Sequence, residues 1–197
     1  MPIRPPTHRA AGQARRTALL EAAVEVIAVG GVTAATHRAI ATKAQVPLST
    51  TSYFFASIDE LVAEAMDMMV TQLLARIDTV AAEIADQSLG TDEMVERYVD
   101  LLLDVPQSFL AAVFTIYAQC PYRPQIQELA HRMMAAFEAA AEKVLRIAGA
   151  KDPGEGARAV VALVDGFALQ RFAWPRGDDD RAPLACGLRA LFHAYIS

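Results

Sequence analysis

An all-α fold of about nine helices is what this sequence predicts, and three observations lead there. Apolar residues recur at three- and four-residue spacing through most of its 197 residues. Helix-start and helix-stop residues punctuate those runs. No alternating strand pattern and no internal repeat appears between them. A hydrophobic content of 54% excludes a disordered chain, and the length suffices for a buried core. No apolar stretch reaches the ~18 uninterrupted residues of a membrane span.

The elements follow in order. Residues 1–12, rich in Pro and Arg, are expected to form a flexible basic arm with no signal-peptide pattern. From Gln13 to Val29, Leu19, Leu20, Ala23, Val24 and Ile27 mark one helical face, and Gly30-Gly31 ends it. Thr36 is placed to cap a short second helix, His37 to Ala44. A third, Leu48 to Phe54 or Phe55, starts behind Pro47. Ser57 and Glu60 form a capping box that opens a long fourth helix to about Asp86. Thr91-Asp92-Glu93 starts a fifth and Pro106 precedes a sixth, to about Ala118. "CPYRP" breaks the chain before a seventh, Pro124 to about Ala148, ended by Gly149. Asp152, Pro153 and Glu155 open an eighth that reaches Trp174. After "RGDDDRAP", whose aspartates are expected to cap it, a ninth runs to the end.

Charge is unevenly spread. The whole chain carries −5, yet residues 1–55 hold six basic side chains (Arg4, Arg9, Arg15, Arg16, Arg38, Lys43) against two acidic ones, a net +4. Twelve basic and 21 acidic residues follow, a net −9. This asymmetry suggests an electrostatic footprint at one end, although a solvated basic tail would look the same.

The stretch "VPLSTTSYFF", Val46 to Phe55, is the weakest helix former in the chain. Two short helices with hydroxyls and aromatics on the second have the size and order of a helix-turn-helix. Ser and Thr can bond phosphates and base edges, the Thr methyl can touch thymine, and Tyr53 can reach a phosphate. Phe54 and Phe55 supply packing that two turns of helix cannot provide alone. The pattern alone would also suit a short connecting helix in a bundle.

Gly30 to Val62, "GGVTAATHRAIATKAQVPLSTTSYFFASIDELV", resembles the DNA-binding region of TetR-family transcriptional regulators, with Ala41, Ala44, Val46, Phe54, Phe55 and Leu61 on the family pattern. The resemblance is strong over residues 13–65. It implies an N-terminal three-helix head (13–56) and a C-terminal bundle (57–197) for effector binding and dimerisation. It also assigns DNA contacts to Thr36, His37, Arg38, Pro47, Leu48, Ser49, Thr50, Ser52 and Tyr53. Gln45 stands where the family usually has a turn glycine, which leaves open whether the turn is strained or accommodates glutamine. Ser49 replaces a common glycine, and Leu48 a frequent basic or polar residue. Ile58 replaces a frequent phosphate-binding lysine. One phosphate contact fewer predicts modest affinity, with Arg4, Arg9, Arg15 and Arg16 partly compensating.

In the body, "AVVALVDGFALQRFAW" (Ala159 to Trp174) is apolar almost all round, which calls for a partner on a second face. With the ninth helix it suggests a homodimer interface including Val161, Val164, Ala168, Leu188, Leu191 and Phe192; a buried central helix in a monomer is the alternative. Phe109, Phe114, Tyr117, Met133, Phe137, Phe167 and Trp174 are expected to line an effector pocket, with Gln170 as a polar contact. The expected ligand is a small apolar or aromatic molecule, and the expected macromolecular partner is double-stranded operator DNA.

Enzyme chemistry finds no motif. Glu128 and His131 have half the spacing of a di-iron site and lack the rest. No catalytic residue, metal or cofactor is expected. Cys120 and Cys186, far apart, fit a reduced cytoplasmic protein. The expected function is a ligand-responsive repressor. The alternative is an all-α small-molecule-binding or interaction protein of the same fold without specific operator binding.

Overall fold

The computed structural model describes residues 6–87 and 89–196. Among them lie nine α-helices and no strand: α1 (Pro6–Gly30), α2 (His37–Lys43), α3 (Leu48–Phe54), α4 (Ile58–Gln87), α5 (Thr91–Leu103), α6 (Gln107–Gln119), α7 (Pro124–Ile147), α8 (Pro153–Ala173) and α9 (Arg181–Ile196). Tight 3-10 turns at Val32–Ala34, Cys120–Tyr122 and Gly177–Asp180 were not foreseen. No single described helix is both long and apolar enough to cross a membrane.

α1 begins seven residues before the expected Gln13, so most of the expected arm is helical. Pro6 suits a first turn, where its missing N–H leaves no bond unmade, and Ala10-Ala11 favour propagation. Expectations for residues 1–5 lie outside the described residues.

The capping residues accept the expected N–H groups, although the Glu60 side chain reaches back to Ala56 N–H, one residue before Ser57. Ala39 N–H donates to Thr36 Oγ1 at 3.1 Å. Glu60 N–H donates to Ser57 Oγ at 3.1 Å, and Glu60 Oε2 accepts from Ala56 N–H at 2.5 Å. Glu155 N–H donates to Asp152 Oδ1 at 3.3 Å, with Pro153 in the first turn. The aspartates before α9 act otherwise than expected. Asp180 is buried, and its carboxylate turns back to accept Arg176 N–H at 3.0 Å, with Arg171 Nε at 3.9 Å. A buried carboxylate needs such donors, and here they close the loop after α8 rather than cap α9.

The chain divides into two compact units: Met1–Met69 with Ala111–Leu129, and Val70–Leu110 with Ala130–Ser197. The unit holding the short helices is therefore larger than 13–56. In it α1 packs on α2 and α2 on α3. Leu19, Ala23, Ile27, Ile40, Phe55, Leu61, Met66 and Ile116 are buried. In the second unit α9 packs on both α5 and α8. Its core joins Val95, Tyr98, Val99, Leu145, Leu184, Leu188 and Phe192. An ion-pair ladder ties α5 to α9: Arg181 reaches Asp100 (2.6 Å) and Glu96 (2.7 Å), and Arg189 reaches Asp92 (3.1 Å) and Glu96.

The turn between α2 and α3 answers the question left by Gln45. Val46 N–H bonds Ala41 O (3.0 Å) and Gln45 N–H bonds Thr42 O (3.2 Å). That pair of bonds is a Schellman motif, which requires a left-handed residue at its end. Gln45 takes that place with φ 55, the only described non-glycine at positive φ. The same motif closes α7, where Ala150 N–H bonds Leu145 O, Gly149 N–H bonds Arg146 O, and Gly149 holds φ 88. The turn is thus made at a cost that glycine would not incur. Gln45→Gly is expected to raise stability by about 0.5–1 kcal/mol, the left-handed strain less the added entropy of unfolded glycine. A urea titration checks this, and an unchanged or lower midpoint would show that no strain is stored there.

Candidate nucleic-acid interface and effector residues

α3 has only seven residues, too few to persist on its own propensity, so tertiary contacts must hold it. Phe55, just after its end, is 2% exposed, and Thr51 is fully buried. The Thr51 hydroxyl donates to Leu48 O at 2.8 Å, which satisfies it inside the head. Arg16 of α1 is ion-paired with Glu64 of α4 and lies over the Phe55 ring, 5.2 Å from its centroid. The anchored side of α3 is thus defined by Thr51 within the helix and Phe55 just past its end, both buried.

The opposite side is open. Pro47, Leu48, Ser49, Ser52 and Tyr53 are exposed, and Thr50 is half-buried. Tyr53 is 68% exposed, with Phe54 packed edge-on to it at 4.9 Å. Thr36 and Arg38 are exposed at the start of α2, and His37 is half-buried. All nine sequence-predicted contact residues therefore belong to one unit, none of them fully buried. Thr51, which was not among the expected contacts, is the one hydroxyl of α3 that is fully buried.

The basic residues also sort themselves. Arg16 is engaged with Glu64 and cannot serve as a free cation. Lys43 pairs with Glu25 at 2.5 Å on the surface. Arg15 and Arg38 are exposed and have no ion pair among the described residues. Arg4 and the Arg9 side chain lie outside the described residues.

The expected effector residues fall in both units. Phe114 and Tyr117 of α6 belong to the first, half-buried and edge-to-face at 6.5 Å. Phe109 and Met133 are buried in the second, and Phe137 and Phe167 are half-buried there. Gln170 is exposed. Trp174 is 68% exposed just past the end of α8, with the Arg176 guanidinium 4.7 Å over its ring. Both are too open for the enclosed pocket expected of them. One polar group went unnoticed in the sequence. The Tyr98 hydroxyl is buried without a hydrogen-bond partner among the described residues. Burial, and then the negative charge of Asp78, push its ionisation well above the usual phenol range.

The expected partner-facing residues need correction too. Leu188 and Phe192, both 2% exposed, lie in the core of their own unit, and Val164 packs against that core. α9 turns its apolar stripe toward α5 and α8, which leaves those side chains no second face. Val161, Ala168 and Leu191 are half-buried. Leu169 (50%) and Phe172 (42%) are the large apolar residues that α8 exposes.

Comparison with known proteins decides the family. The family description "Bacterial regulatory proteins, tetR family" matches residues 19–65. "Tetracyclin repressor-like, C-terminal domain" matches residues 89–196, more than half of the chain. The chain belongs to the TetR family. A nicotine-responsive transcriptional repressor of Paenarthrobacter nicotinovorans is 29% identical over 170 residues, covering 82% of this chain and 85% of that protein. A transcriptional regulator from Rhodococcus sp. Rha1 superposes with a TM-score of 0.72 at 20% identity, covering 91% of this chain and 95% of the other. The multidrug binding protein EbrR complexed with ethidium gives a TM-score of 0.66 at 24% identity, covering 90% and 98%. This TetR-family protein is a ligand-responsive, DNA-binding transcriptional regulator.

The two-sided build of α3 makes a paired prediction. Thr51→Ala is expected to cost about 1–2 kcal/mol of stability, from lost packing and a lost internal hydrogen bond. Tyr53→Ala is expected to stay within about 0.5 kcal/mol, as exposed positions do. Chemical denaturation of both variants checks this; equal losses would mean that Tyr53 is a core residue.

Proposed function

We propose that this regulator is a homodimeric repressor that binds a palindromic operator through α3 and leaves it when a small aromatic or apolar effector binds. The observation that carries the proposal is the exposed row Leu48, Ser49, Ser52 and Tyr53, backed by the buried pair Thr51 and Phe55. A side chain that reads bases has to project from a helix that cannot rotate. A twofold dimer would set two such helices about one DNA turn apart, ~34–36 Å, which is the geometry of a palindrome.

Hydroxyls, the Leu48 side chain and the Thr50 methyl supply contacts of low charge. Among the described residues, attraction to the phosphates then falls to Arg38 and Arg15 above all. The effector class is supported by the relatives: one is nicotine-responsive and another was crystallised with ethidium, both aromatic molecules. Phe109, Met133, Phe137 and Phe167 are the proposed apolar contacts in the second unit, and the lone Tyr98 hydroxyl is the proposed polar one. The effector must bind the operator-free state more tightly than the operator-bound state, since equal affinity for both would shift nothing.

Fluorescence anisotropy with the DNA upstream of the protein's own gene tests the proposal. Specific, salt-sensitive binding is expected. Tyr53→Ala should weaken it by about ten-fold, the loss of one good contact on each half-site. Arg38→Ala should weaken binding about equally on all sequences and lower the slope of log K against log salt by roughly 0.9 per protomer. If the wild-type protein binds specific and scrambled DNA alike at low salt, the chain is an effector-binding protein of this fold and not an operator reader.

A further inference from the structure

α8 carries a stripe that its own unit leaves open. Arg158, Ala162, Asp165, Leu169 and Phe172 follow one another at alternating steps of four and three residues, so they share one helical face. Ala157, Val160, Leu163, Val164 and Phe167 pack against the core of the unit, which puts the stripe on the outward side. Arg158, Ala162, Leu169 and Phe172 are exposed, and Asp165 is half-buried.

The two charges on this stripe are poorly provided for. Asp165 has no hydrogen bond or ion pair among the described residues. Burial pushes its carboxyl up to about 6, so it is still mostly ionised at neutral pH. Arg158 only approaches Glu138, at 3.9 Å, and its side chain is 80% exposed. An anion without a partner and a loosely held cation therefore lie two helical turns apart, with a small residue between them.

We propose that this stripe meets the same stripe of a second copy, antiparallel about a twofold axis beside Ala162, with Arg158 of each copy paired to the partner's Asp165. The proposal rests on the dimer reading above and adds its register. Arg158 lies four residues before Ala162 and Asp165 three residues after it, so an antiparallel mate brings the two level. A twofold axis then makes the contact twice. Ala162, with only a methyl group, and Gly166, with no side chain, allow the helices to approach. The competing arrangements are electrostatically unfavourable. A parallel mate, or an antiparallel one centred on Asp165, sets carboxylate against carboxylate beside apolar surface.

Sedimentation equilibrium of the full chain tests this with Asp165→Arg, Arg158→Asp and the double reversal. Each single reversal replaces two attractive contacts with two like-charge ones and is expected to weaken the dimer at least about ten-fold. The double reversal should recover to within about three-fold of wild type. If a reversal fails to fold, Asp165→Asn, Arg158→Gln and their double form the same cycle, and the second change should add little to the first. Single variants that dimerise like wild type, or a double variant no better than the singles, would overturn the register while the dimer reading stands. A wild-type chain that remains monomeric at tens of micromolar would overturn the dimer reading itself.

Discussion

Two helices of seven residues cannot hold themselves in water, and the arrangement of the DNA-binding unit follows from how they are anchored. A short helix gains too little from its own hydrogen bonds to offset nucleation. The sequence supplies one side of α3 with Thr51 and Phe55 and leaves the other side to solvent. Arg16 adds a second tie, paired with Glu64 and stacked on Phe55, so α1 and α4 clamp the same point. On the proposed reading, the weak helix propensity of this stretch follows from the side that α3 turns to DNA. Hydroxyls and Tyr53 are poor helix formers but versatile contacts.

The second unit is built on a different balance. α9 lies against α5 and α8 and spends its apolar stripe there. The ladder of Arg181 and Arg189 with Asp92, Glu96 and Asp100 fixes its register on α5. α8 is then covered on one side only. Its exposed face combines Leu169 and Phe172 with one cation and one anion, the mixture that the proposed twofold mate would match.

The fold was legible because its signals are local. Caps at Thr36, Ser57 and Asp152, prolines at helix starts and glycines at stops each act within four residues, and the three caps each accept the backbone N–H expected of them. The exposed side of α3 was legible for the same reason. Features set by distant residues were not. Nothing near Arg181 announces Glu96, 85 positions away, and nothing in the ninth helix says that Leu188 and Phe192 are already covered. Asp180 was expected, with its two neighbours, to cap the ninth helix, yet it is buried and faces Arg176 N–H and Arg171 of the preceding helix. Gln45 shows the remaining kind of gap. The departure from glycine was visible in the sequence, but the left-handed backbone that gives it a cost appears only in the folded turn.

The central claim is that α3 has an anchoring side and a reading side. Selection of preferred sites from a random DNA pool, by the wild-type protein and by a Ser49→Ala/Ser52→Ala variant, tests it most directly. The claim predicts that the wild type enriches a palindromic site. It also predicts that the variant, still folded, loses preference at a few base pairs in each half while keeping its salt-dependent affinity for DNA in general. An unchanged preference in the variant would contradict it, because some other surface would then be reading the bases.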